Sequence, residues 1–223
     1  MKPGVRPTVE ADWETRSQGA LQSPEGLANE QDVLAGLLAY SEAHVTADRL
    51  LQQFPSIGHV VSAEPWQLET LGLTTRDIEL LHLVQAAACH MARAAVRARP
   101  ALSNSPALIS YLQTVMGYEQ VEHVRILFLD RRNRLIADEV LHRGSIDHTP
   151  VYPRDIMKRA LILNASALIC VHNHPSGDPA PSRDDIAMTR QVKAAADALA
   201  LELHDHIVIG HGKHASFRTL GLL

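Results

Sequence analysis

The sequence predicts an α/β (α+β) domain built around a sheet, preceded by a smaller helical region. Three observations carry that expectation. Apolar residues recur at helical spacing from Asn29 to about Arg99. After residue 120 the period shortens to strand-like alternation, and strands then alternate with helices. No Gly-rich phosphate loop interrupts that alternation.

Residues 1–26 are polar and carry Pro3, Pro7, Gly19, Pro24 and Gly26, the composition of a flexible tail. The next stretch, 27–100, is read as helical. Asn29 suits the N-cap of NEQDVLAGLLAYSEA. TADRLLQQF and PWQLETLGL follow as short helices, the latter stopped by Gly72. A long helix, TTRDIELLHLVQAAACHMARAAVRA, has Thr75 as its expected N-cap and Ile78, Leu81, Val84, Ala88 and Met91 as its buried stripe. Pro100 ends it, and a domain boundary is expected near residue 101.

The remainder, 101–223, begins with a helix, SPALISYLQTVM. In EHVRILFLDRRNRLIADEVLHRG, Val124, Ile126 and Phe128 alternate with Arg125, Leu127 and Leu129, and DRRN supplies a hairpin turn. Pro153 opens a helix as a good first residue. ALICV is a short buried strand, SRDDIAMTRQVKAAADALA a helix and LELHDHIVIG another strand, before HASFRTLGLL closes the chain.

Composition narrows the function classes. The 223 residues carry a formal net charge of -4, which argues against a surface devoted to nucleic acid. Aromatics make up 4%, so the core is aliphatic. The two cysteines, Cys89 and Cys170, sit in apolar surroundings and are expected as buried free thiols. No run approaches a membrane span and the N-terminus shows no apolar signal segment, so a reduced cytoplasmic setting is expected.

The informative stretch is VHNHPSGDPAPSRDD, residues 171–185. Side chains two apart on a strand share a face, so His172 and His174 can present both imidazoles to one point. Pro175 ends the pairing, a stiff loop follows, and Ser182 suits an N-cap with Asp185 three residues on. The chain then folds back to bring a carboxylate to two imidazoles. Two His and one carboxylate leave the fourth position of a tetrahedral zinc open, the pattern of a catalytic site. Each part alone is commonplace: HxH as a hydrogen-bonded pair, SxxD as a capping box. The joint pattern is more specific. His204 and His206 in LHDHIV also share a face on simple alternation and form a rival pair, ranked as support behind the ligands.

His172-Asn173-His174-Pro175, then Ser182 and Asp185, resembles the JAMM (MPN+) metallopeptidase motif in its RadC-family form. EHVRILFLDRRNRLI, VYPRDIMKRALILNAS, HDHIVIG and SFRTLGLL resemble that family too, so the similarity spans roughly residues 101–223. The resemblance implies a JAMM/MPN-type mixed sheet flanked by helices and one zinc per chain held by His172, His174 and Asp185. It implies a glutamate before the first strand, here Glu122 (Glu119 lies nearby), as acid and base, and Ser182 as a hydrogen-bond donor to the tetrahedral intermediate. The implied activity is hydrolysis of an amide or isopeptide bond in a protein or peptide. RadC-type chains also commonly carry a helical region resembling helix-hairpin-helix DNA-binding units. Here ETLGLTTRDIELL has Gly72 but Thr74 in place of a second glycine, with Glu69, Asp77 and Glu79 around the turn. DNA contact is therefore weakly supported, and a DNA-associated accessory role or a metal-stabilised interaction module stand as alternatives.

Overall fold

The computed structural model describes residues 29–40, 42–97, 100–101, 106–143 and 152–223. The expected tail, 1–26, lies outside them. Among the described residues six helices precede the sheet: α1 (Glu30–Leu38), α2 (Ala43–Gln53), α3 (Ile57–Val61), α4 (Pro65–Thr70), α5 (Thr75–Arg97) and α6 (Pro106–Met116). Then follow β1 (His123–Leu129), β2 (Leu135–Arg143), α7 (Pro153–Ile162), β3 (Ala167–Asn173), α8 (Arg183–Ala198), β4 (Glu202–Gly210) and β5 (Lys213–Ser216).

Contacts cluster the chain into two units that meet at Gln85/Ala86, inside α5. The reason is visible in packing: Val96 and Ala92, late in α5, join the second unit's core. Helix α3 has no separate signal in the sequence. Helix α1 starts as expected, with Asn29 Oδ1 accepting the Asp32 N–H at 2.9 Å. It ends earlier than its apolar pattern, because Ala39 turns left-handed at φ 49°. In the helical unit, Leu34, Leu50, Val60, Leu68, Ile78 and Leu81 form a closed aliphatic core.

The second unit is a five-stranded mixed sheet in the order β2-β1-β3-β4-β5. β1 pairs antiparallel with β2 and β3, β3 runs parallel to β4, and β5 returns antiparallel on β4. Helix α6 covers one face through Leu108, Leu112 and Met116, against Leu127, Ile169, Val171, Ile207 and Ile209. Helices α7 and α8 cover the other through Ile156, Ala160, Val192 and Ala196, against Ile126, Phe128, Leu168 and Cys170. The central strand β3 is buried along its whole length, which explains its unbroken apolar run.

One irregularity matters for function. Leu168 pairs with Leu203 but Ile169 pairs with Asp205, so His204 is an extra residue in β4. Alternation resets there. Leu203 and His206 lie on the α8 side, and His204 does not share their face.

Candidate metal centre

The site forms where β3 ends. Register puts His172 opposite Val124 of β1 and Val208 of β4, with its ring on the α8 side. The strand ends at Asn173, and the His174 N–H then donates to the Ile209 carbonyl at 2.8 Å. The loop turns back tightly: a Cβ at Gly210 would lie 2.2 Å from the Gly177 carbonyl oxygen, so only glycine fits. Gly177 itself has φ 81°.

Ser182 caps α8, and Asp185 completes a capping box with it. Ser182 donates to Asp185 Oδ2 from both its N–H (2.7 Å) and its hydroxyl (2.6 Å), and its Oγ accepts the Asp185 N–H at 3.1 Å. The capping box and the ligand reading are thus compatible. The bonds that start the helix also aim the carboxylate at the two histidines.

His172, His174 and Asp185 each offer a ligand atom, and these atoms lie within 4.8 Å of one another. His172 Nε2 is 3.0 Å from His174 Nε2 and 3.3 Å from Asp185 Oδ1. His174 Nε2 is 3.5 Å from Asp185 Oδ2. A tetrahedral ion with bonds of about 2.0–2.1 Å separates its ligand atoms by roughly 3.4 Å. The side chain of His172 is 1% exposed, while those of His174 and Asp185 are 18% and 13% exposed, so the cluster opens to solvent on their side.

Hydrogen bonds behind the cluster select its tautomers. The Thr189 hydroxyl donates its one proton to the Asp185 carbonyl at 2.6 Å. It must therefore accept from His206 Nδ1–H, also at 2.6 Å. His206 Nε2 is then a lone pair and accepts from His172 Nδ1–H at 2.8 Å. His174 Nδ1–H donates to the Asp178 carbonyl at 2.8 Å. Both Nε2 lone pairs consequently face each other and a carboxylate. Three electron-rich groups this close can share protons or hold a metal ion among them, and the donor set suits a metal ion.

Where protons rather than a metal lie between the rings and the carboxylate, the same groups stabilise one another. Burial opposes ionisation of Asp185, but hydrogen bonds to His172 and His174 outweigh it and hold its carboxyl far below the usual range. The Asp185 hydrogen bond raises His174, with smaller help from the Asp178 carbonyl and the charge of Glu122. Burial, then the charge of His172, keeps His206 neutral; its ring stacks on Phe217 at 4.6 Å.

Glu122 is exposed and immediately precedes β1, within electrostatic reach of His174. His206 supports His172 from behind. The expected sharing of a face with His204 does not hold, because the β4 bulge separates them. His204 instead bonds Asn133 Oδ1 at 2.7 Å and pairs with Glu202. Thr189 was not legible as a site residue, although its place four after Asp185 on one helix face was an available signal. Cys170 is buried, and burial with the charge of Asp205 pushes its thiol up to about 12; Cys89 is partly buried.

The turn before α5 is held by its own cap. Thr74, not Thr75, caps the helix: its N–H donates to Asp77 Oδ2 at 2.9 Å and its hydroxyl at 2.6 Å. Among the described residues no helix is long and apolar enough to cross a membrane.

A RadC-like JAB domain profile matches residues 102–222. A UPF0758 protein of Rhodobacter capsulatus is 53% identical over 192 residues, 86% of this chain and 90% of its own length. A UPF0758 protein of Ruegeria pomeroyi is 49% identical over 175 residues, 78% of each chain. Fold, motif and these similarities agree, and the chain belongs to the RadC family.

Proposed function

We propose that this chain is a zinc-dependent hydrolase of the JAMM type that cleaves an amide or isopeptide bond in a protein or peptide. The observation that carries the reading is the convergence of two Nε2 lone pairs and the Asp185 carboxylate at tetrahedral spacing, open on one side. Zinc held there supplies a Lewis acid and lowers the pKa of water to about 7. Membership of a JAB-domain family, which includes metallopeptidases, supports the same reading.

The chain's own residues have separable roles. His172 and His174 present Nε2, each fixed by a bond through Nδ1. Glu122, near His174 and exposed, takes a proton from the attacking water and returns it to the leaving amine. Ser182 orients Asp185 and redirects its hydroxyl to the oxygen that gains charge.

The first test is metal content of the purified chain beside His174→Ala. About one zinc per chain, lost in the variant, is expected. The second is cleavage of a mixed pool of peptides and isopeptide-linked peptides, read as newly released amines. Glu122→Gln should retain zinc and lose about 10²–10⁴ in rate. Cleavage that survives both Glu122→Gln and Asp185→Ala would sink the reading.

A further inference from the structure

Asn173 stands between the two cluster histidines, and its side chain points to the opposite side of β3 from His172. It touches neither the cluster nor solvent, being 1% exposed. A buried carboxamide must find partners, and this one finds them all in the segment that leads into β1. Its Oδ1 accepts the His123 N–H at 2.8 Å. Its Nδ2 donates to the Val121 carbonyl at 3.0 Å and, more weakly, to the Glu119 carbonyl at 3.4 Å.

These partners bracket one residue. Val121 precedes Glu122 and His123 follows it. The backbone ladder between β1 and β3 runs from Leu129↔Ala167 only as far as Val124↔His172. Beyond that point the Asn173 side chain continues the connection, so it links the histidine strand to the peptide units on both sides of Glu122. The amide's orientation is dictated, because the N–H needs an oxygen and the carbonyls need an N–H donor. Aspartate would set oxygen against two carbonyls, and alanine would leave all three backbone groups without this partner.

We propose that Asn173 is a positioning residue for Glu122: it ties the proton-carrying glutamate to the strand that bears the two histidines and so sets the distance between them. The inference rests on the metal and Glu122 assignments above. Its physical weight comes from the sensitivity of proton transfer to placement, since an error of about 1 Å can cost 10²-fold in rate. The charge of Glu122 already acts on the His174 ring.

The test reads position directly. The full chain is labelled with ¹³C at glutamate carboxyls and loaded with cobalt(II) in place of zinc. The Glu122 resonance is assigned by its absence in Glu122→Gln. Wild type should show a paramagnetic shift of this resonance. Asn173→Ala and the milder Asn173→Ser should bind cobalt as wild type does, lose that shift, and exchange the His123 amide faster. A merely structural Asn173 would lower the melting temperature and leave the shift in place, and that result overturns the proposal. If neither variant folds, hydrogen exchange of wild type decides: protection of the His123 amide to the level of the β1 amides supports the tie, and free exchange overturns it. Failure of wild type to take up cobalt overturns the metal reading itself, and the inference with it. Normal uptake with an unmoved Glu122 resonance in the variants overturns this inference alone.

Discussion

The hydroxyl of Thr189 lies 2.6 Å from Nδ1 of His206, and this bond decides which nitrogen of a third residue, His172, faces the cluster. The hydroxyl spends its proton on the Asp185 carbonyl, so the chain of donors can run in one direction only. Thr189→Val keeps the shape and removes both bonds. Zinc affinity should fall by about 10–100-fold, as for other groups that orient a ligand histidine. Thr189→Ser should restore it. Competition against a chromophoric chelator measures both. Unchanged affinity in Thr189→Val would show that the relay does not orient His172.

Ser182 links helix start and carboxylate in the same way. Ser182→Ala removes an N-cap, and the metal-free chain should lose about 1 kcal/mol in urea unfolding. It also strips Asp185 Oδ2 of its hydroxyl donor, so zinc affinity should fall as well. Loss of stability with full zinc affinity would mean that Asp185 is aimed by the Ser182 N–H alone.

How far the sequence foretold this site follows from where the bonds run. His172, His174, Ser182 and Asp185 were legible because strand alternation and helix capping are local rules, and both hold here. The pairing of His204 with His206 failed because a bulge is set by the match between β3 and β4, not by β4 alone. Asn173 was hidden because every partner it has is a backbone atom some 50 positions away. The core partners of Val96, late in α5, lie at a sequence distance that composition does not show.

Arg159 clamps Glu139 from α7 to β2, with Nε at 2.9 and 2.7 Å from the two carboxylate oxygens and Nη2 at 2.6 Å. Its hydrogen bonds hold the Glu139 carboxyl below its ordinary range. A depressed folded pKa stabilises the fold above the unfolded value of about 4.3 and loses that contribution as pH falls through the folded pKa. Glu139→Gln should therefore melt about 2 °C lower at pH 7, a small effect because the pair is partly solvated. The gap should narrow as pH drops below about 4. A gap that is constant or wider in acid would assign the effect to packing instead.

Gly210 tests whether the loop after His174 holds the cluster together. A methyl group there would meet the Gly177 carbonyl oxygen at 2.2 Å and Pro179 Cδ at 3.2 Å. These two neighbours flank Asp178, whose carbonyl accepts from His174 Nδ1–H. The backbone on the other side is no freer, since Ile209 accepts the His174 N–H. Gly210→Ala must move the loop, at a cost of about 1–3 kcal/mol typical of overpacking. The displaced Asp178 carbonyl would release the His174 ring, so zinc affinity should fall even in the folded fraction. The control is Gly212→Ala, where an added Cβ meets nothing within 4 Å but φ is 63°. That variant pays a backbone cost alone and should keep its zinc. If both variants lose stability and neither loses zinc affinity, the loop is a spacer and His174 is held by its own backbone bond.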